Sequence, residues 1–174
     1  MKAARKESAL ECTQIANYLI DNCDPIECRL TNLKLNKVIY FLHGYCLARF
    51  DRPLVRNHFE TWDYGPVVGS LYHMLKRYGN EPVGEKILYI NYETGKSEAV
   101  DYSDVSREFG DSLDRVSRNL ISFDVWELVR RTHAEGGAWD EIRRKQSGPQ
   151  RSTRIPDSLI AEHYRNLVGG KSLH

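Results

Sequence analysis

Cys23, Cys28, His43 and Cys46 are separated by four, fourteen and two residues. Thiolate and imidazole ligands in that order could hold zinc. A structural zinc site, however, usually offers close Cys-x-x-Cys pairs, which this stretch lacks. Cys12 and Cys46 fall on apolar helical faces, where a free cysteine behaves as a small hydrophobe. The sequence therefore predicts reduced thiols, with no metal and no cofactor. No Gly-rich phosphate loop, His-Glu-x-x-His pair or nucleophile elbow occurs. Acidic residues are scattered among basic ones, so no carboxylate pair stands out for acid/base work. His133 follows Thr132 at a helix end and reads as a capping group. No catalytic residue is assigned, and the chain reads as a non-enzyme. A metal-dependent hydrolase would need stoichiometric zinc.

Two further sets of residues could do recognition chemistry. At about 100° per residue, Asn36, Tyr40 and His43 share one helical sector of roughly 60°. Such a polar strip is either a buried hydrogen-bonded network or a surface that meets a partner. Trp62, Tyr64 and Pro66 form the second set. Gly65-Pro66 suits a tight turn leading into a helix, with Trp62 beneath it. Alternatively, Trp62 and Tyr64 present an aromatic platform of the kind found in interface hot spots. The six residues Asn36, Tyr40, His43, Trp62, Tyr64 and Pro66 are the candidate partner-binding set.

The elements that must position them are mostly helical. Ser8 and Glu11 spell a capping box for a first helix to about Asn22, with Cys12, Ile15, Ala16 and Leu19 on one face. Thr31 is the expected N-cap of a helix reaching Phe50. That helix carries Leu35, Val38, Ile39, Leu42 and Cys46 on one side and Leu33, Tyr40, Phe41, Tyr45 and Leu47 around it, so it should be central and buried. Phe59–Asp63 looks extended, and a third helix is expected from Gly65-Pro66 to Gly79. Ile87, Tyr89 and residues 98–100 flank Gly95 in a β-hairpin. Asp104–Ile121 is amphipathic, with Arg107–Asp111, Asp111–Arg115 and Asp114–Arg118 as charge pairs. Ser122 should cap a short helix, and another turn begins near Trp139. Arg143–Arg154 holds Arg143, Arg144, Lys145, Arg151 and Arg154 without an acidic residue. It reads as a basic loop, solvated or meeting nucleic acid or an acidic partner. Pro156-Asp157 opens a last helix with Ile160, His163, Tyr164 and Leu167 as its core face. The expectation is a mainly α, single compact helical domain over residues 1–174. It has about six or seven helices and one small β-hairpin, a core over about 8–168 and short mobile ends.

Composition narrows the function classes. With 25 Lys plus Arg against 24 Asp plus Glu, the net charge is +1, which argues against nucleic-acid binding through a global basic field. No apolar run approaches the ~20 residues of a membrane span, and the N-terminal basic residues lead into no signal-like apolar stretch. A cytoplasmic protein is expected.

Several blocks in order carry a family resemblance: Ile15–Ile20 (IANYLI), Leu30–Gly44 (LTNLKLNKVIYFLHG), Glu60–Val68 (ETWDYGPVV), Lys76–Gly79, then Thr132-His133 and Ala138-Trp139. Together they resemble the Panacea domain, the SocA-like antitoxin family also met in phage-associated proteins, over about Ser8 to Leu167. Ala138 stands where the family usually has Pro, and Asn36 where it has Gln. The resemblance implies an antitoxin that neutralises a cognate protein toxin by direct contact, with delivery of the toxin to the ClpXP protease as a further implication. It brings no catalytic residue. The alternative is a phage or mobile-element regulator that binds a host factor or DNA.

Overall fold

The computed structural model describes residues 9–146 and 152–169. Ser8, the centre of the basic segment and the tail beyond Gly169 lie outside the described residues, as do the expectations placed on them. Helix α1 runs Cys12–Asp21, later than the start expected at Ser8: Glu11 is its N-cap rather than the partner of Ser8, and its side chain and Gln14 complete the capping box. Its face of Cys12, Ile15, Ala16 and Leu19 is buried.

Helix α2, Asn32–Phe50, starts where Thr31 Oγ1 accepts the Lys34 amide at 3.2 Å. Leu35, Val38, Ile39, Leu42 and Cys46 are wholly buried. The helix packs against helices on several sides and against a strand, as a helix apolar nearly all round must. Around it lie α1, α3 (Gly69–Leu75), α4 (Ser103–Ile121), α5 (Val125–Thr132) and α7 (Asp157–Gly169), and α6 (Ala138–Lys145) packs on α7.

The chain is mainly α, but its β structure exceeds the single hairpin expected. Strands β1 (Phe59–Trp62) and β2 (Gly65–Val67) pair antiparallel, with Trp62 opposite Gly65, and β5 (Arg154–Ile155) adds to the other side of β1. Gly65-Pro66 therefore opens a strand rather than a helix. Gly65, at φ +96°, absorbs the chain reversal after Asp63-Tyr64. Pro66 lacks an N–H and sits on β2 at the sheet edge, where that donor is dispensable. Helix α3 starts only at Gly69.

The expected hairpin is β3 (Leu88–Asn91) with β4 (Lys96–Ala99), and Gly95 turns at φ +68°. Its base is held by the buried Asn17, whose amide donates to Ile87 O and Val100 O at 3.0 Å and accepts from Ile87 N at 2.7 Å.

Three local expectations are corrected. Gly110, at φ +48°, interrupts α4, so Asp111 falls out of helical phase with Arg107. Arg107 pairs with Asp104 instead, Asp114–Arg118 forms, and among the described residues no ion pair joins Asp111 to Arg107 or Arg115. Asp124, not Ser122, caps α5, by accepting the Trp126 amide at 2.8 Å. Leu167 of α7 is half-exposed, whereas Ile160 and Tyr164 pack inward as expected.

Candidate protein-binding surface

The polar strip of α2 lies beneath the surface. Asn36 is buried; its Oδ1 accepts the Val68 amide at 3.0 Å and its Nδ2 donates to Asn32 O and Oδ1 at 3.0 Å. Tyr40 is enclosed by the rings of Phe41, Phe59 and Tyr164, and burial raises its hydroxyl pKa. His43 is fully buried. Its Nδ1 accepts the Val55 amide at 3.3 Å, so in the neutral ring Nε2 carries the proton. That Nε2 lies 3.3 Å from Asp157 Oδ1 but off the hydrogen-bond direction. Asn36 thus joins α2 to the strand segment, and His43 faces the start of α7. Gly44 lets the Tyr164 ring lie directly on the helix, since a Cβ there would overlap it.

Lys37, not singled out from sequence, is the most deeply buried lysine, arginine or carboxylate among the described residues. It has no exposed surface, and its Nζ donates to the Pro66 carbonyl at 2.8 Å. Burial alone lowers its pKa to about 7. The sequence signal was weak: a lysine on a helix ordinarily reads as solvated, and only its place between Leu35, Val38 and Ile39 hints otherwise.

Above Lys37 stands the Trp62–Gly65 turn, held from several sides. Trp139 Nε1 donates to Trp62 O at 3.0 Å. His133, at the end of α5, sets Nε2 3.2 Å from Asp63 O and Nδ1 2.7 Å from Val129 O, and its ring lies 3.9 Å from that of Trp139. The capping role expected of His133 is therefore joined by a contact to the turn. Arg143 Nη2 donates to Asp63 Oδ1 at 3.1 Å. A Cβ at Gly65 would meet Thr132 Oγ1 and the Lys37 side chain.

Of the second candidate set, Trp62 is half-buried, with its ring 4.7 Å from that of Tyr72 and its Nε1 donating to Glu60 Oε2 at 2.9 Å. Pro66 is buried. Tyr64 alone projects, 59% exposed, and its ring meets Trp126 edge-on at 5.8 Å; Trp126 is 58% exposed. Trp126 was missed because it occupies the wet side of a short amphipathic helix, where pattern alone gives it no role. It also borders a groove of about 790 Å³ lined by Cys23, Cys28, Lys34, Arg118 and Phe123 among others. An aromatic pair on a rigid support beside a groove can anchor a protein partner, because such side chains bury large area at little conformational cost.

The basic segment is not one loop. Arg143, Arg144 and Lys145 end α6, where cations suit the helix C-terminus. They pair with Asp63, with Asp140 and Glu135, and with Glu141. Among the described residues no group of three or more His, Cys, Asp or Glu could hold a metal ion, and no helix is long and apolar enough to cross a membrane. Cys12 and Cys46 are core residues whose thiol pKa values burial pushes up to about 12.

The comparisons with known proteins agree with this arrangement of motifs. Antitoxin SocA of Caulobacter vibrioides is 28% identical over 161 residues, covering 90% of this chain and 84% of that protein. No solved structure matches. The model of the antitoxin SocA-like, Panacea domain family matches residues 35–140, which takes in most of α2, the Trp62–Val68 segment and the Thr132–Trp139 elements. The chain belongs to the SocA-like antitoxin family, and its matched region is the Panacea domain.

Proposed function

We propose that this protein is an antitoxin that neutralises a cognate toxin by direct contact, and that Tyr64 and Trp126 anchor the contact. The observation that carries this reading is the exposed Tyr64–Trp126 pair standing on a turn that Lys37, His133, Trp139 and Arg143 hold from beneath and beside. Burial inside the domain explains Asn36, Lys37, Tyr40 and His43 as the groups that fix the turn and the α7 junction. Of the six candidate residues, Tyr64 at the turn's tip is the one left exposed to meet another molecule. The relative's name supports the antitoxin role. Binding here requires no catalytic group and no metal, and it takes place in the cytoplasm.

An adaptor that also engages ClpXP needs a second contact surface on a separate element. Hairpin β3–β4 supports such a role, with Leu88, Ile90 and Tyr92 each more than half exposed. The regulator that binds DNA is weakened by the ion pairing of Arg143, Arg144 and Lys145, which leaves those cations partly satisfied within the fold.

The test is co-expression. The product of the adjacent reading frame is induced alone, with this chain, and with its Tyr64→Ala, Trp126→Ala double variant, and growth is scored. Rescue by the native chain and loss of rescue by an equally abundant variant is the expected result. Growth arrest that the native chain does not relieve contradicts the antitoxin reading.

A further inference from the structure

Cys23 and Cys28 are the two cysteines that the core does not absorb. Both are half-buried, both are free thiols, and both line the groove beside Trp126. The chain between them is a closed turn. Asp24 Oδ1 accepts the amides of Ile26 and Glu27 at 2.9 and 3.1 Å, and Asp24 O accepts the Cys28 amide at 2.9 Å. This return brings residue 28 back toward residue 23, and both side chains line the same groove. Cys23 Sγ also donates to Leu19 O at 3.3 Å, which fixes its side chain against the end of α1. The Lys34 ammonium donates to Cys28 O at 2.7 Å, which fixes the backbone at the end of the turn. Cys12 and Cys46, by contrast, are 2% and 0% exposed.

We propose that Cys23 and Cys28 form a reversible intramolecular disulfide, making the groove wall an oxidation site for low-molecular-weight disulfides such as glutathione disulfide. The Cys28 thiol releases its proton to solvent and attacks one sulfur of glutathione disulfide as the thiolate, and one glutathione thiolate leaves. Cys23 then gives up its proton to that thiolate and attacks the Cys28 sulfur of the mixed disulfide, expelling the second glutathione. One S–S bond forms in the protein and one is broken in the oxidant. Two protein thiols are oxidised and two glutathione molecules are produced. Burial holds the Cys23 thiol protonated, so it acts second, once Cys28 already carries the leaving group. The short closed turn means that the two sulfurs need little chain movement to bond. This proposal is independent of the antitoxin reading.

The experiment incubates the folded full chain with glutathione and glutathione disulfide at graded ratios, quenches with acid, and counts free thiols in denaturant. The expected result at oxidising ratios is a fall from four thiols to two, reversed by reductant. Proteolysis at Asp24 or Glu27 should leave the flanking fragments joined until reductant is added. Cys28→Ser should abolish the loss, and Cys23→Ser should stop at a single glutathione adduct. Cys12→Ser should still lose two thiols. Retention of all four thiols, a glutathione adduct as the final product of the native chain, or a disulfide between two chains would each overturn the proposal. Fragment mapping on the native chain decides the matter even if a serine variant fails to fold.

Discussion

Lys37 and Pro66 are joined by a single hydrogen bond, from the lysine Nζ to the proline carbonyl at 2.8 Å, with the lysine wholly out of solvent. Beside it, Asn36 Oδ1 accepts the Val68 amide. Two sequence blocks about thirty residues apart are thereby fastened, one on the central helix and one on the strand beyond the exposed turn. A buried amine satisfied by a carbonyl is costly to keep charged and costly to leave unpaired. Its place under the turn makes it a fastening rather than a catalyst.

The pH dependence of stability follows from that burial. In the native chain the Lys37 amine titrates near 7, against 10.5 for the free side chain. Between those values the unfolded chain binds the extra proton, so this group makes stability rise with pH from about 7 upward. Cys12 and Cys46 act in the opposite sense only as unfolded thiols ionise near 9, so the window to read is pH 7 to 8.5. Urea unfolding should show the native chain gaining on the order of 1–2 kcal/mol over Lys37→Met across that window. Parallel curves for the two proteins would show that the amine is not held in a depressed state.

Gly44 carries the contact between α2 and α7. Gly44→Ala drives a methyl group into the Tyr164 ring and should cost about 1–3 kcal/mol, as overpacking does. Combining it with Tyr164→Leu should recover part of that loss in a double-mutant cycle. Strict additivity of the two changes would mean that the ring and the helix do not press on each other.

Leu42 is wholly buried at the centre of α2. Leu42→Ala should lower stability by about 2–5 kcal/mol. A loss under about 0.5 kcal/mol would place the helix at the surface and undo the architecture.

Much of the helical frame was legible from residues alone. Thr31 marked the start of α2 and Arg52-Pro53 closed it just beyond Phe50, because caps and chain breakers are local signals. Gly95 marked its hairpin for the same reason. The Gly65-Pro66 pair misled: its local chemistry suits a helix start as well as a strand. Pairing with Glu60–Trp62 and the contact with Thr132, far along the chain, decided for the strand. The polar strip Asn36, Tyr40 and His43 was correctly grouped on one side of the helix, but periodicity does not say what covers a face. Strand β2, the Val55 segment and α7 cover it. Trp126 and Lys37 were invisible because their roles depend on neighbours brought in by the tertiary fold.

The central claim is that Tyr64 and Trp126 are the anchor of a toxin contact while the groups below them are structural. Calorimetric titration of the purified chain with the product of the adjacent reading frame tests it most directly, with thermal melting run on every variant. Tyr64→Ala and Trp126→Ala should each weaken binding by about 2 kcal/mol, roughly thirty-fold, with unchanged melting. Tyr40→Ala should lower the melting temperature, since its ring is core. Full affinity in the Tyr64→Ala, Trp126→Ala double variant, or a loss of affinity that only follows a loss of fold, would contradict the account.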